Sequence, residues 1–193
     1  MAGALKHDFI SFEDYLAGER DVEFRSEYVN GKLYAMAGAN ETHNTIASSL
    51  HAFIENSLRL DCRVWQSDMK VAIQNNGQRF GYYPDIMAAC GDNTDNPYVR
   101  TNPLLIVEVL SSTTERVDLK EKFDNYISIP SLLEYVVVSQ DVPLVRLFRR
   151  RSSWECETYR ADDTFQLESV ELDMPVLHIY RRVLKEVGLA VAR

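Results

Sequence analysis

The chain has 193 residues, 46% hydrophobic and 26% charged, with a mean hydropathy of -0.25, a composition that excludes wholesale disorder and low complexity. Its formal net charge of -8, from 21 basic and 29 acidic residues, excludes a broadly basic nucleic-acid-binding surface, so contact with nucleic acid would need a local patch. The longest aliphatic run, Leu104 to Val107, is far too short to cross a bilayer, and the N-terminus lacks a signal-peptide core. Cys62, Cys90 and Cys156 are odd in number and form no CxxC pair. That spacing argues against a disulfide scaffold or a thiolate zinc site and for a reducing, cytoplasmic setting.

Ser11 followed by Asp14 has the form of a capping box and opens a short helix through Leu16 that stops at Gly18. Asn30-Gly31 between the alternating halves of residues 25–37 predicts a hairpin, because a type I′ turn needs positive φ at both central positions. Ile46, Leu50, Phe53, Ile54 and Leu58 recur at helical spacing and predict an amphipathic helix over 42–59. Strands are predicted at 62–73, 82–90 and 103–110, then a helix over 114–128 with Leu119, Phe123, Tyr126 and Ile127 on its apolar face. LEYVVVSQ, VPLVRLFRR and WECETYRA read as an antiparallel meander, followed by a short LESVELD segment and a terminal helix from about residue 178. The order predicts an α/β (α+β) fold with a mixed central β-sheet flanked by helices. We expect a single domain over 1–193, its core at about 10–140 and a C-terminal β-meander and helix over 141–193.

Glu108 is the sharpest anomaly. It interrupts the aliphatic run LLIVEVL, the signature of a strand covered on both faces, where an ionised carboxylate costs several kcal/mol unless compensated. By alternation it shares a face with Ile106 and Leu110. Asp85, between apolar flanks in YYPDIMA, poses the same puzzle. Two acids on neighbouring buried strands point to one shared cation, and hard oxygen ligands favour magnesium or manganese over zinc. The plainer alternative has Asp85 bonding local backbone and Glu108 paired with an arginine. On helix 114–128, Asp118, Lys122 and Tyr126 stand at i, i+4 and i+8. Lys122 borders the apolar stripe, where it is either half of a solvated ion pair or an ammonium beside the acids.

A Pro-Asp on one strand, a glutamate on the next and a following helix resemble the PD-(D/E)XK restriction-endonuclease-like superfamily. RSEYVNGKLYAMAG, ETHNTIASSLHAFI, YYPDIMAAC and the long LLIVEVLSSTTERVDLKEKFDNYISIPSLLEYVVV segment resemble, more narrowly, a restriction-endonuclease family of unknown function abundant in cyanobacteria, over about residues 10–140. The resemblance implies a metal-dependent endodeoxyribonuclease, a hydrolase using Mg2+ or Mn2+ on DNA as a cytoplasmic homodimer. It implies that Asp85, Glu108 and the Val109 carbonyl ligate the metal and that Glu27, the superfamily's upstream acid, ligates a metal directly or through water. The motif's lysine position holds Leu110, and the lysine has moved to the following helix as Lys122. Gln66 and Asp68 fall near the same cleft. His43 occupies the family's histidine position at a helix start, where backbone donors favour a phosphate. Arg146, Arg149, Arg150 and Arg151 form either a phosphate-contacting ridge or a solvated strand edge, and Tyr82, Tyr83 and Tyr126 either stack on bases or fill the core. Two other readings fit the acidic charge and Leu110: a catalytically inactive interaction module with a nuclease fold, and a metal-dependent hydrolase of small phosphate esters.

Overall fold

The computed structural model describes residues 9–36, 38–91, 96–110 and 118–189. Helix α1 (Phe12–Gly18) is capped by Ser11, whose hydroxyl accepts from the Asp14 N–H and donates to its carboxylate. The hairpin β1 (Ser26–Val29) and β2 (Lys32–Ala35) turns at Asn30 and Gly31, with φ of 43° and 93°. The turn demands glycine at Gly31, where a Cβ would also displace the exposed Phe9 ring. Helix α2 (Glu41–Glu55) starts at Asn40, whose side chain accepts from the His43 N–H. It ends earlier than the predicted residue 59, and Leu58 packs against the core from beyond its end.

The strands are β3 (Cys62–Gln66), β4 (Lys70–Asn75), β5 (Gln78–Tyr82), β6 (Ile86–Cys90), β7 (Val99–Arg100), β8 (Leu105–Leu110), β9 (Glu134–Ser139), β10 (Leu144–Arg149), β11 (Cys156–Arg160), β12 (Thr164–Leu167) and β13 (Leu172–Pro175). Between β8 and β9 a π-helical turn over Asp118–Lys122 runs into α3 (Phe123–Tyr126), and α4 (Val176–Tyr180) follows β13. One sheet has the order β2-β1-β5-β4-β7 and a second the order β11-β10-β9-β8-β6-β3, while β12 and β13 pair alone. β8–β9 and β4–β7 are parallel and the other pairs antiparallel, so the sheets are mixed as predicted, and β9-β10-β11 is the predicted meander.

The six-stranded sheet is covered on both faces, which is why β8 reads as an apolar run broken only by Glu108. Leu105, Val107 and Val109 join a core with Ile46, Leu50 and Tyr180, whereas Ile106 and Leu110 face Val71, Tyr82 and Tyr126 from the five-stranded sheet and α3. Glu108 therefore points into the space between the two sheets.

Several predicted elements are corrected. The single strand expected over 62–73 is two strands in different sheets, broken at Ser67 with φ of 53°. β5 went unpredicted although Asn76-Gly77 carries the same hairpin signal as Asn30-Gly31, with φ of 48° and 76°. Of the helix expected over 114–128, residues 114–117 lie outside the described residues, and the rest opens on the wider π turn. The terminal helix begins at Val176 and is only five residues long. Cys62 and Cys90, expected to be free, stand opposite one another in the β3–β6 register and form a disulfide. A separation of 28 residues in the chain conceals that cross-strand adjacency; Cys156 is free and exposed. Among the described residues no helix is long and apolar enough to cross a membrane.

Candidate active site between the two sheets

Asp85 does not lie within a strand. It sits where the chain leaves β5, passes Tyr83-Pro84 and enters β6, crossing from one sheet to the other. Ile86 pairs with Val107, which brings Asp85 alongside Glu108. Each of its carboxylate oxygens has a partner: Oδ2 accepts from the Val109 N–H at 2.7 Å and Oδ1 lies 3.0 Å from His43 Nε2. Its carbonyl accepts from the Ser67 N–H at 3.1 Å. Asp85 thus bonds backbone, as the plainer alternative held, but on the neighbouring strand.

Glu108 is 3% exposed and lies among donors from three elements. Oε1 accepts from the Tyr126 hydroxyl at 2.8 Å and from Lys122 Nζ at 3.4 Å, and Oε2 lies 3.4 Å from the Asp85 N–H. Lys122 Nζ also reaches Glu27 Oε1 on β1 at 2.9 Å and stands 5.6 Å from the centre of the Tyr82 ring. Among the described residues the cation paired with Glu108 is Lys122. Lys122 and Tyr126, four residues apart, meet the same carboxylate oxygen. Burial, and then the charge of Glu108, hold the Tyr126 hydroxyl protonated far above the ordinary tyrosine range. Tyr82 is likewise pushed up by burial and accepts a bond from Asn125 Nδ2 at 2.8 Å. Both tyrosines fill the core and are not stacking platforms for bases.

The site thus gathers Glu27, Asp85 and Glu108 around Lys122 and His43. Among the described residues three carboxylates stand around one permanent cation in a space of low dielectric, a setting that favours a further cation. Among the described residues no three His, Cys, Asp or Glu side chains converge at metal-ligating distance. The donor chemistry nevertheless fits a hard divalent ion: Asp85 and Glu108 offer oxygen only, and magnesium characteristically takes one or two carboxylates and keeps water on its other positions. Glu27 is turned toward Lys122. Val109 enters the site through its N–H, which holds Asp85.

Other expected contributors lie elsewhere. Gln66 closes β3 opposite Ile86, one residue from Asp85, while Asp68 is exposed and ion-paired with Arg25 at 2.5 Å. The arginine ridge is corrected. Arg149 is 3% exposed and bonds Glu134, Glu157 and the Gln166 carbonyl. Arg150 donates to the Leu132, Ile127 and Ile129 carbonyls at the end of α3, and Arg151 pairs with Glu168. Arg146 pairs with Val137 and Thr158 in the meander, away from the acids. Strand alternation makes these side chains look like a surface row, but Arg149 and Arg150 are turned onto internal acceptors. The contact not anticipated from the sequence is the Tyr126 hydroxyl on Glu108, for which the i, i+4 spacing from Lys122 is the available signal.

Residues 12–178 match the Uma2 family, described as "Putative restriction endonuclease". The chain belongs to the Uma2 family. Among its Uma2-like relatives are two uncharacterized proteins of the cyanobacterium Synechocystis sp.. One, slr1290, is 34% identical over 177 residues, covering 89% of this chain and 92% of the relative. The other, sll1609, is 34% identical over 133 residues, 66% of this chain and 73% of its own. A crystal structure described as a putative nuclease belonging to DUF820, from Anabaena variabilis, superposes with a TM-score of 0.69 at 16% identity, over 89% of this chain and 98% of that one. The Uma2 chain shares its mixed α+β fold.

Proposed function

We propose that this Uma2 protein is a divalent-metal-dependent endonuclease that hydrolyses phosphodiester bonds of DNA. The observation that carries the reading is the meeting of Asp85, Glu108, Glu27 and Lys122 from four separate elements at one buried point. Such convergence costs desolvation at every member and has no structural necessity, because an apolar residue of similar volume would pack as well. Membership of a family described as restriction endonucleases gives the chemistry its class.

Asp85 and Glu108 would hold Mg2+ or Mn2+. The bound ion supplies Lewis-acid stabilisation of charge on the scissile phosphate and lowers the pKa of water. The chain's own residues do the rest. The Val109 N–H and His43 fix Asp85, so its carboxylate needs no reordering when the substrate arrives. Tyr126 fixes Glu108 from the core side. Lys122, set between Glu27 and Glu108, presents a positive charge to the phosphoryl oxygens as water adds to phosphorus, one P–O ester bond breaks and the water's proton passes to the leaving oxygen through solvent. The homodimer that double-strand cleavage calls for is part of the same reading.

The test is a manganese-dependent cleavage assay on supercoiled plasmid, single-stranded DNA, RNA and a mononucleotide. We expect nicking of DNA by the native chain and none by Glu108→Gln. Hydrolysis of the mononucleotide alone would establish a small-ester hydrolase, and no hydrolysis of any substrate would establish an inactive interaction module.

A further inference from the structure

The five buried charged side chains among the described residues are Lys70, Arg100, Glu108, Glu134 and Arg149. Four of them have partners: Lys70 bonds the Tyr83 hydroxyl at 3.0 Å, and Glu108, Glu134 and Arg149 lie in the networks of ion pairs and hydrogen bonds around Lys122 and Glu134. Arg100 has none. It is 3% exposed, its Nε lacks a hydrogen-bond partner, and no acid of the described residues pairs with its guanidinium. Its neighbour is the Trp65 ring, 4.6 Å from the guanidinium carbon. A second cation, Arg63, lies on the same face of β3 as Trp65, and burial together with the Arg63 charge disfavours Arg100's charged form. Stacking on tryptophan holds a guanidinium in place but satisfies none of its in-plane donors. The buried Nε of this guanidinium is left without an acceptor among the described residues, a donor that an anion can satisfy.

Its location says what that anion is. Arg100 pairs with Val71, and Trp65 packs on the same inter-sheet core as Val71 and Ile106, the core onto which Glu108 projects. Trp65 pairs with Met87, two residues or about 7 Å along the strand from Asp85. Five donors in a planar fork match a phosphate oxyanion, and a guanidinium is the group best suited to bind one bidentately.

We propose that Arg100, backed by Trp65 and flanked by Arg63, is a phosphate seat that takes a phosphodiester of the substrate strand beside the one held at the carboxylates. The proposal rests on the nuclease reading and names how a chain of net charge -8 holds a polyanion: through one recessed seat in place of a basic surface. The experiment is fluorescence anisotropy of a fluorescein-labelled oligodeoxynucleotide with the native chain, Arg100→Gln and Arg63→Glu across a salt series, with inorganic phosphate as competitor. We expect Arg100→Gln to weaken binding about tenfold or more and to lower the salt slope by about one. Its Tm without ligand should be unchanged or higher, because an uncompensated charge is gone. Arg63→Glu, an exposed position where folding is not at stake, should also weaken binding, and phosphate should compete less well against either variant. Native affinity in both variants overturns the seat, whatever the cleavage assay shows. Arg100-dependent binding of phosphate without binding of the oligonucleotide overturns the nucleic-acid assignment. A fall in Tm for Arg100→Gln with intact affinity assigns the residue to structure. If the native chain binds oligonucleotide through Arg100 but cleaves nothing, the seat stands and the nuclease reading falls.

Discussion

Two glutamates on neighbouring parallel strands, Glu108 on β8 and Glu134 on β9, are buried to 3% and 1% exposure, and the chain treats them in opposite ways. Glu134 is saturated. Oε1 accepts from Arg149 Nε at 3.1 Å and the Glu168 N–H at 3.1 Å, and Oε2 accepts from the Ser169 N–H at 2.8 Å. Its cation is an arginine whose remaining donors go to Glu157 and the Gln166 carbonyl. Glu108 instead shares a lysine with a second glutamate and lies against an aspartate, with Lys122 Nζ and the Asp85 N–H each at 3.4 Å. A buried acid is thus no marker of function by itself. What separates the two is whether fixed donors close the network, as around Glu134, or negative charge is left over, as around Glu108. A saturated network can do nothing but hold; an unsaturated one has affinity left for a cation.

The largest expected effect falls on activity at the open cluster. Glu108→Gln keeps an oxygen for Tyr126 and Lys122 but removes one of the two carboxylates proposed to hold the metal. We expect manganese-dependent cleavage to fall by about three orders of magnitude, the equivalent of several kcal/mol of charge stabilisation. Stability, read from urea unfolding without metal, should move by less than about 1 kcal/mol, because one of three crowded negative charges is removed. At the closed cluster the pattern reverses. Arg149→Met should cost about 3–5 kcal/mol of stability, since it leaves Glu134 buried with backbone donors alone, and per folded molecule cleavage should be unchanged. If both variants lose stability equally, the contrast between the clusters is void.

The contrast was half legible in the amino-acid order. Glu108 stood out because four aliphatic residues precede it and two follow, and Asp85 because Tyr-Pro and Ile-Met flank it. Glu134 drew no notice: it opens its strand, and a strand end is where an acid is ordinarily solvated. Lys122 was legible from its place beside the apolar stripe, whereas Glu27 was reached through family resemblance, since nothing local in a hairpin strand says what it faces. Arg149 and Arg150 were misread because alternation fixes which sheet face a side chain takes but not whether another element covers that face. Arg100 was invisible, since a two-residue strand, Val99–Arg100, has no period to detect. The disulfide and the sheet-to-sheet crossing at Asp85 depend on long-range pairing, which local patterns do not carry.

A smaller effect sharpens the comparison from the cation side. Lys122→Met leaves Glu27 and Glu108 without their ammonium, and we expect a loss of about 2 kcal/mol in chelator, or roughly 4–8 °C in Tm. Because the acids remain, millimolar Mn2+ should restore most of that loss in Lys122→Met and raise the native Tm less. The same ion should leave Arg149→Met unrestored, since its cluster has no site for it. An absence of rescue in Lys122→Met would reduce the open cluster to a lysine-bridged ion pair.

The smallest effect is on pH. Hydrogen bonding from Arg149 first, and from Tyr159 second, holds the Glu157 carboxyl below its usual 4.5 in spite of partial burial. A depressed carboxylate contributes stability that is complete above the unfolded value and is lost as pH falls through the folded one. Native protein and Glu157→Gln should therefore differ most in Tm at neutral pH and converge below about pH 4.5. The closed cluster would then loosen in acid from its exposed edge, with Glu134 still held by backbone N–H groups that do not titrate. A Tm gap that stays constant from neutral pH to pH 3 would mean that Glu157 acts through packing, and that Arg149 is held by Glu134 and the Gln166 carbonyl without help from the Glu157 charge.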